Sequence, residues 1–153
     1  VRGGEYFDWY YANNDDRAAQ KRTPINNEPL VWRFRAKDIK GWWENTHHPI
    51  RRRRHQNATA WRARGKQIWF TELGCPAVDK GAHQPNVFPD AKSADGGLPH
   101  FSDGSRDDLM QSAYLRAMQS FYEMPANNPR SPHFSGGMVN TSRVFYWAWD
   151  ARP

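Results

Sequence analysis

The stretch that decides the fold is Lys66-Gln67-Ile68-Trp69-Phe70-Thr71-Glu72-Leu73-Gly74. It is rich in β-branched and aromatic residues, and its flanks, basic before it and Gly-Cys-Pro after it, limit it to the length of a strand. Alternation along a strand predicts two rows of side chains: Ile68, Phe70 and Glu72 on one face, and Trp69, Thr71 and Leu73 on the other. Both rows are mostly apolar, so we expect a strand covered on both faces, as in a parallel sheet.

Glu72 closes one row of this strand and is followed two residues later by Gly74. In α/β barrels the active site forms at the carboxyl ends of the strands, so a carboxylate in this position indicates a site residue. The alternative is a strand-end glutamate that merely meets solvent. The position at the strand end favours the site interpretation.

The composition sets the class of protein. At 153 residues the chain is one domain or part of one, and eight Trp carry much of its apolar volume. Indole rings fill protein cores, but they also bind the C–H faces of sugars. The formal net charge of +6 is compatible with an anionic partner: nucleic acid, an acidic polysaccharide or a membrane surface.

Cys75 is the only cysteine, so no intrachain disulfide is expected. No run of residues has the length of a membrane span, and no signal peptide heads the sequence. Because the sequence begins without methionine, we expect it to be a fragment that starts within a domain.

Two elements follow the central strand. Residues Ser105–Tyr122 carry apolar side chains at helical spacing, and Ser105-Arg106-Asp107-Asp108 resembles a capping box. The apolar stripe of that helix has seven members: Leu109, Ala113, Ala117, Phe121, Met110, Tyr114 and Met118. Residues Arg143–Trp149 are predicted to form the last strand. A strand, a helix and a strand in this order predict a right-handed crossover and a parallel pair.

A long interval, Pro76–Gly104, separates the central strand from the helix and is rich in Pro, Gly, Asp and Ser. Intervals of this length are uncommon in compact domains and are usually functional or mobile. We expect an ordered lid or partner-contact loop, pinned by Val78, Val87, Phe88, Leu98 and Phe101. The polar side chains expected to face the cleft or a neighbouring subunit are Asp79, Lys80 and His83.

The first half of the sequence gives weaker signals. It predicts a short polar helix in Asn13–Arg22, capped by Asn13 or Asn14, and a second helix in Ala36–Glu44. A brief strand is expected in Leu30–Phe34. Residues Asn45–Gly65 are polar and basic and are expected to be irregular.

Several motifs together resemble a known family. They occur in this order: Gly3-Gly4-Glu5, Asp8-Trp9-Tyr10-Tyr11, Ile68-Trp69-Phe70-Thr71-Glu72-Leu73-Gly74-Cys75-Pro76-Ala77-Val78-Asp79-Lys80-Gly81, Gln84-Pro85-Asn86-Val87-Phe88, Arg106-Asp107-Asp108 and Trp147-Ala148-Trp149-Asp150-Ala151-Arg152-Pro153. In these motifs the sequence resembles the glycoside-hydrolase TIM-barrel-like domain of gene transfer agents and related phage tail proteins. The resemblance implies an α/β fold, a partial (β/α)8 TIM-barrel-like domain that contains the later strands. Residues 1–153 would be its C-terminal portion, with a loop insertion at 76–104.

The resemblance also implies a site. In retaining glycosidases with this type of barrel the nucleophile is a glutamate that ends the seventh strand, and Glu72 matches it. Their second carboxyl lies about 5–5.5 Å away and comes from an earlier strand, which this sequence lacks. Glu5 and Asp8 are the substitutes that the sequence offers. Five residues are implied to bind substrate: Trp147, Trp149, Asp150, Trp9 and Tyr10.

The function implied is action on, or binding of, cell-surface polysaccharide or peptidoglycan at the tail tip of a virion or gene-transfer-agent particle. Other tail or baseplate proteins would be its partners. The alternative is a catalytically silent domain that binds glycan or builds the tail hub, because a fold alone does not grant activity.

Other motifs have simpler explanations. The basic run Arg51–Arg54 is typical of a solvated loop, so a nucleic-acid partner is not expected. Asp79, His83, His100 and Cys75 fit no standard metal-ligand spacing, so we expect neither a metal nor a cofactor. Cys75 lacks a paired base and reads as a packed thiol.

Overall fold

The computed structural model describes residues 9–24, 38–51, 54–55 and 57–147. The chain divides into two compact units, each of which is described by itself. The first draws on Val1–Gln67 and Asn128–Met138, and the second on Ile68–Asn127 and Val139–Pro153. The expectation that all 153 residues belong to one barrel domain therefore stays a prediction.

The first unit contains short elements. Strands β1 (Trp9–Tyr10) and β2 (Thr23–Pro24) pair antiparallel, as do β3 (Ile50–Arg51) and β4 (Arg54–His55). Helix α1 spans Asn14–Ala18 and helix α2 spans Ile39–Glu44. The helix predicted in Asn13–Arg22 is therefore shorter than expected, since Gln20 has a left-handed backbone (φ 53°) and the chain turns there toward β2.

Both short helices begin at a capping side chain. Asn13, one of the two residues predicted as the cap, accepts a hydrogen bond from the backbone N–H of Asp16 at 2.8 Å. Asp38 does the same for the N–H of Gly41 at 2.9 Å and caps α2. The strand expected in Leu30–Phe34 lies outside the described residues.

The core of the first unit is built around Trp43. Its side chain is fully buried, and its indole N–H donates to the carbonyl oxygen of Lys66 at 2.6 Å. The ring of Phe134 meets it edge-on at 6.4 Å between centroids. Nearby, Arg64 pairs with Glu44 at 2.8 Å. These contacts attach the 128–138 segment and residues 64–66 to helix α2.

The second unit is a strand–helix–strand unit. Strands β5 (Ile68–Leu73) and β6 (Val139–Tyr146) are parallel neighbours, and helix α3 (Asp108–Glu123) lies between them in sequence. The predicted parallel pair, with a helix between its strands in sequence, is confirmed, although β6 begins four residues before Arg143 and ends at Tyr146.

Helix α3 and the facing sides of β5 and β6 form the core of this unit. Tyr122 and Met118 are buried, and the ring of Tyr122 lies 5.3 Å from that of Phe70. Nine side chains surround a cavity of about 20 Å³: Phe70, Leu73, Met118, Gln119, Tyr122, Val139, Thr141, Val144 and Tyr146. That volume suits roughly one water molecule and excludes a sugar.

Only part of the predicted helix stripe packs against the sheet. Met118 and Tyr122 are buried, whereas Leu109 is 79% exposed and Ala113 and Ala117 are exposed as well. The prediction that all seven apolar residues form the packing face is therefore wrong. The row at 118 and 122 faces the two strands, and the neighbouring row of the helix points away from them.

The prediction that β5 is covered on both faces is also wrong. Its pairing with β6 is irregular: Phe70 is opposite Val144 and Leu73 is opposite Tyr146, so β5 has one extra residue in this interval. The extra residue breaks the alternation and places Leu73, instead of Glu72, beside Phe70 under α3. Thr71 and Glu72 are exposed.

The N-cap of α3 is Asp107, whose side chain accepts from the N–H of Met110 at 2.9 Å. The cap was expected at Ser105. The chain at 105–107 is instead extended, because Arg106 forms an antiparallel bridge with Val78. The N–H of Asp79 donates to the carbonyl oxygen of Ser105, and the N–H of Asp107 donates to the carbonyl oxygen of Ala77, both at 2.8 Å.

This bridge closes the base of the insertion, which contains one turn of 3-10 helix, Gly81–His83, and otherwise turns and bends. Val78 and Pro99 are buried and act as anchors. Two of the predicted anchors, Leu98 and Phe101, are exposed. The insertion is thus ordered as predicted, but fewer side chains hold it than the sequence indicates.

In the residues that the structure describes, all strands belong to two-stranded sheets, and no closed barrel is present. The architecture is mixed α/β. Within the same residues, no helix combines the length and the apolar character required to cross a membrane.

Candidate functional site

The carboxyl ends of β5 and β6 meet closely at Gly74. The N–H of Trp147 donates to the carbonyl oxygen of Leu73 at 2.9 Å. A Cβ atom on Gly74 would lie only 1.9 Å from the carbonyl oxygen of Trp147. A side chain at position 74 is therefore excluded, and the glycine after the strand allows the two strand ends to lie side by side.

Glu72 lies at this edge, on the sheet face that α3 does not cover. Phe70 and Leu73 line the cavity under the helix, whereas Thr71 and Glu72, the two residues between them at the irregular pairing, do not line it and are exposed. Glu72 is exposed and makes no hydrogen bond or ion pair with the described part of the chain. Its carboxylate is accessible to solvent.

Trp147 continues the same face on the neighbouring strand. Tyr146 lines the cavity under α3, so Trp147 points away from the helix, and it is 42% exposed. The structure thus brings a carboxylate and an exposed indole to one edge of a parallel pair. This is the location that the strand-end argument predicts.

Three further residues occupy that face and were not predicted as site residues: Trp69, Arg143 and Phe145. Trp69 and Phe145 are each 50% exposed. The guanidinium of Arg143 lies 5.1 Å from the centroid of the Trp69 ring, a cation–π contact. The alternation of Arg143, Phe145 and Trp147 along β6 was the available signal.

The family model described as the GTA TIM-barrel-like domain matches residues 1–153. The chain belongs to this family. Neither the curated proteins nor the solved structures compared with the chain match it.

Membership of the GTA TIM-barrel-like family accounts for the crossover of β5, α3 and β6, because a barrel of this kind is made of such units. The family is typical of gene transfer agent proteins. It does not by itself identify a reaction or a substrate.

Trp9 and Tyr10, expected to bind substrate in this GTA TIM-barrel-like domain, lie in the first unit. The guanidinium of Arg22 stands 4.5 Å from the ring centroid of Trp9, and the ring of Tyr11 meets Trp9 edge-on at 5.0 Å. One side of the indole is therefore occupied by a cation. The role of Trp9 and Tyr10 at the Glu72 site stays a prediction.

Four other predicted residues lie outside the described residues: Glu5, Asp8, Trp149 and Asp150. Their assignment as second carboxyl or as substrate-binding residues stays a prediction for the same reason.

The polar side chains of the insertion bond mainly within the insertion itself. Asp79 pairs with Lys80 and also accepts from the N–H of Asp103 at 3.2 Å. The Nδ1 atom of His83 lies 3.0 Å from the carbonyl oxygen of His100. These contacts give Asp79, Lys80 and His83 a structural role within the insertion. Their exposure toward a cleft or subunit stays a prediction.

Cys75 follows the site and is fully buried. Burial raises the pKa of its thiol from 9.0 to about 11, so the unreactive thiol predominates at neutral pH. This agrees with the interpretation of a packed thiol. Gln111 of α3 donates to the carbonyl oxygen of Cys75 at 2.9 Å and fixes the backbone there.

Across the described ranges, no group of three or more His, Cys, Asp or Glu side chains is arranged to hold a metal ion. The edge and the sheet face beside it carry a solvent-accessible carboxylate (Glu72), an exposed indole (Trp147) and a guanidinium (Arg143).

Proposed function

We propose that this chain forms the later part of a (β/α)8 barrel that acts on cell-surface polysaccharide or peptidoglycan, with Glu72 as the nucleophile. One observation carries the proposal. Glu72 is exposed at the carboxyl end of β5, on the same face as the exposed indole of Trp147. Barrel enzymes carry their catalytic groups at this end of the strands.

The chemistry would be that of a retaining glycosidase. The Glu72 carboxylate attacks the anomeric carbon of the sugar and forms a glycosyl-enzyme bond, while a second carboxyl protonates the leaving oxygen. Water then breaks the covalent bond, with the second carboxyl as base. We assign the second carboxyl to Glu5, because Gly3-Gly4-Glu5 is one of the motifs in which the sequence resembles this family.

Aromatic residues would form the floor of the site. The apolar faces of pyranose rings pack well on indole, which supports a substrate-binding role for Trp147. We extend this role to Trp149, Asp150, Trp9 and Tyr10 on the basis of the shared motifs. The insertion at 76–104 would form the rim, since it begins directly after β5.

The proposed setting is the tail tip of a gene-transfer-agent particle, in contact with other tail or baseplate proteins. Family membership supports a location in a gene-transfer-agent particle. The position at the tail tip is our own inference. A complete barrel takes about 250 residues, so further strands from the same protein or from a partner would complete it.

The decisive experiment measures release of reducing ends from peptidoglycan and from host surface polysaccharide. We expect Glu72→Gln to lower turnover by several orders of magnitude, because the substitution removes the nucleophile and keeps its shape. Glu123→Gln is the matched control, since Glu123 is an exposed glutamate at the end of α3. Equal turnover by the wild-type chain and Glu72→Gln would remove Glu72 from the mechanism.

A silent glycan-binding domain is the second candidate function. It is favoured by the absence of any hydrogen bond to Glu72 from described residues, because catalytic carboxylates are normally held in place by their neighbours. In this case the wild-type chain and Glu72→Gln would bind polysaccharide equally, and neither of them would release reducing ends. Trp147→Ala would weaken that binding about tenfold or more, as expected for a buried aromatic contact.

A further inference from the structure

The positive charge of this protein is concentrated in two segments of the chain. Residues 45–71 and 124–142 contain eight of the 22 Lys and Arg residues and none of the 16 Asp and Glu residues. The remainder of the chain has 14 cations against 16 carboxylates, a net charge of −2, so the net charge of +6 comes entirely from these two segments. Charge that is concentrated in this way produces a local field that attracts anions.

The structure joins parts of the two segments in the first unit. The guanidinium of Arg62 donates to the Nδ1 atom of His133 at 2.9 Å. The hydroxyl of Ser131 donates to the carbonyl oxygen of Arg64 at 2.7 Å. Arg130 is the chain neighbour of Ser131, so these contacts bring cations from both segments to one region.

A tight turn brings a further cation to this region. The N–H of Gly65 donates to the carbonyl oxygen of Arg62 at 3.0 Å, and Arg64 has a left-handed backbone (φ 59°). The two ends of such a turn lie within about 7 Å of each other, and Lys66 follows directly. Arg64 itself is neutralised by Glu44 at 2.8 Å.

The other cations keep their charge available. Arg62, Lys66 and Arg130 are exposed, and none of them pairs with an acidic side chain of the described residues. His133 is exposed as well and accepts from Arg62. We call these four residues the basic surface.

The surroundings of the basic surface indicate the class of its ligand. No large apolar side chain that the structure describes in 38–66 and 128–138 is exposed, so these residues offer no apolar anchor for a membrane or a folded protein partner. The rings of Trp42, His47 and Trp61 pack on one another with centroids 4.6 to 5.0 Å apart. Proteins that bind single-stranded nucleic acid instead stack the bases on open rings. The basic surface therefore fits a hydrophilic polyanion.

We propose that the basic surface binds the carboxylates of an acidic cell-surface polysaccharide, as a second glycan-binding site apart from Glu72. Residues 62–66 and 130–133 lie outside every described strand, whereas the interior of a completed barrel is filled by strand side chains. The inference rests on the proposed function for its setting at the cell surface. It adds a site that takes no part in bond cleavage.

The chemistry of the guanidinium favours this ligand. Its planar donors match the two oxygens of a carboxylate and form paired, charge-assisted hydrogen bonds. The bond to His133 uses one donor of Arg62 and holds the group in place, which lowers the entropy lost on binding. A polymer with a carboxylate on each sugar engages several cations at once, so weak single contacts add to a useful affinity.

Titration calorimetry of the whole chain measures dissociation constants for polygalacturonate and for its methyl ester, which has the same backbone with blocked carboxylates. The wild-type chain should bind the acidic polymer about tenfold or more tightly than the ester. Arg62→Gln combined with Arg130→Gln should weaken binding of polygalacturonate about tenfold to hundredfold and leave binding of the ester unchanged. Circular dichroism checks the fold of each variant.

Arg116→Gln combined with Lys92→Gln is the matched control. Both residues are exposed and belong to the second unit, and their loss changes the net charge equally. This variant should bind polygalacturonate within about threefold of the wild type, because salt screens distant charges. Equal losses in the two double variants would indicate general attraction alone and would overturn the proposal.

Duplex DNA and polyglutamate test the class of ligand, each at the same concentration of charges as polygalacturonate. Tighter binding of either one would overturn the assignment to a polysaccharide. Glu72→Gln separates this inference from the proposed catalysis, since it should bind polygalacturonate as tightly as the wild type. Weaker binding by Glu72→Gln would mean that the polymer occupies the Glu72 site instead. Failure of the wild-type chain to bind polygalacturonate would overturn the inference and leave hydrolysis of a neutral glycan at Glu72 standing.

Discussion

The two faces of the β5–β6 sheet differ sharply. The face toward α3 is packed with Phe70, Leu73 and Val144 and encloses a cavity that suits about one water. The opposite face carries a carboxylate, a guanidinium and three exposed aromatic rings. The side chains on the face toward α3 thus stabilise the unit, whereas those on the opposite face are accessible chemical groups.

The difference indicates where substitutions should affect folding and where they should affect binding. Buried apolar side chains stabilise a small unit strongly, because their removal leaves a cavity. Exposed rings lose less on truncation, since half of their surface already meets water. We therefore expect the two faces to separate in stability measurements.

The largest expected effect is that of Tyr122→Ala on the covered face. Tyr122 is 5% exposed and packs on Phe70, so its truncation should lower the free energy of unfolding by about 3–5 kcal/mol. Phe145→Ala is the matched change on the uncovered face and should cost under about 1 kcal/mol. Urea unfolding followed by circular dichroism measures both values. Similar losses in the two variants would mean that both faces are covered in solution.

A smaller effect is expected at the start of the helix that covers the inner face. Asp107→Ala removes the side chain that accepts from the N–H of Met110 and should lower the free energy of unfolding by about 1 kcal/mol. Asp107→Asn retains an accepting oxygen and should restore most of that stability.

Ser105→Ala provides the contrast, because the serine hydroxyl does not cap the helix in this structure. It should leave the free energy of unfolding within about 0.5 kcal/mol of the wild type. A larger loss from Ser105→Ala than from Asp107→Ala would show that the helix begins where the sequence pattern places it.

The smallest effect at neutral pH concerns the buried thiol of Cys75. Its pKa is raised to about 11 by burial, so the folded chain keeps a proton that the unfolded chain loses above its ordinary pKa of 9.0. This contribution to stability is fully present below about pH 9 and is lost as the pH rises through about 11.

The measurement compares the free energy of unfolding of the wild type and Cys75→Ala between pH 7 and 11. The advantage of the wild type should stay constant up to about pH 9 and then decline. Rapid alkylation of the native thiol by iodoacetamide at pH 8 would contradict the buried environment.

Much of this fold could be predicted from local sequence. The β-branched and aromatic run at 66–74, the helical spacing in 105–122 and the final strand together predict a parallel crossover, and the structure has one. The similarity of the motifs also identified the family. These signals are local, so they do not depend on which surfaces meet in three dimensions.

The errors arose where distant segments meet. The extra residue between Phe70 and Leu73 depends on pairing with β6, and the cap at Asp107 depends on the bridge between Val78 and Arg106. Neither partner is visible in a single run of sequence. The position of Glu72 at the strand end was predictable, whereas the pairing of Arg143 with Trp69 required the register of the two strands.

The closed base of the insertion has an evolutionary consequence. Val78 and Arg106 are joined as a bridge, with two backbone hydrogen bonds of 2.8 Å beside it, so the two ends of the loop are fixed next to each other. Once the ends are fixed, doubling the length of the intervening segment costs only about 0.6 kcal/mol in closure entropy. The exposed residues 91–96 can therefore be lengthened, shortened or exchanged between lineages without moving β5 or α3. The segment can thus diversify as an exchangeable cassette while β5 and α3 stay unchanged.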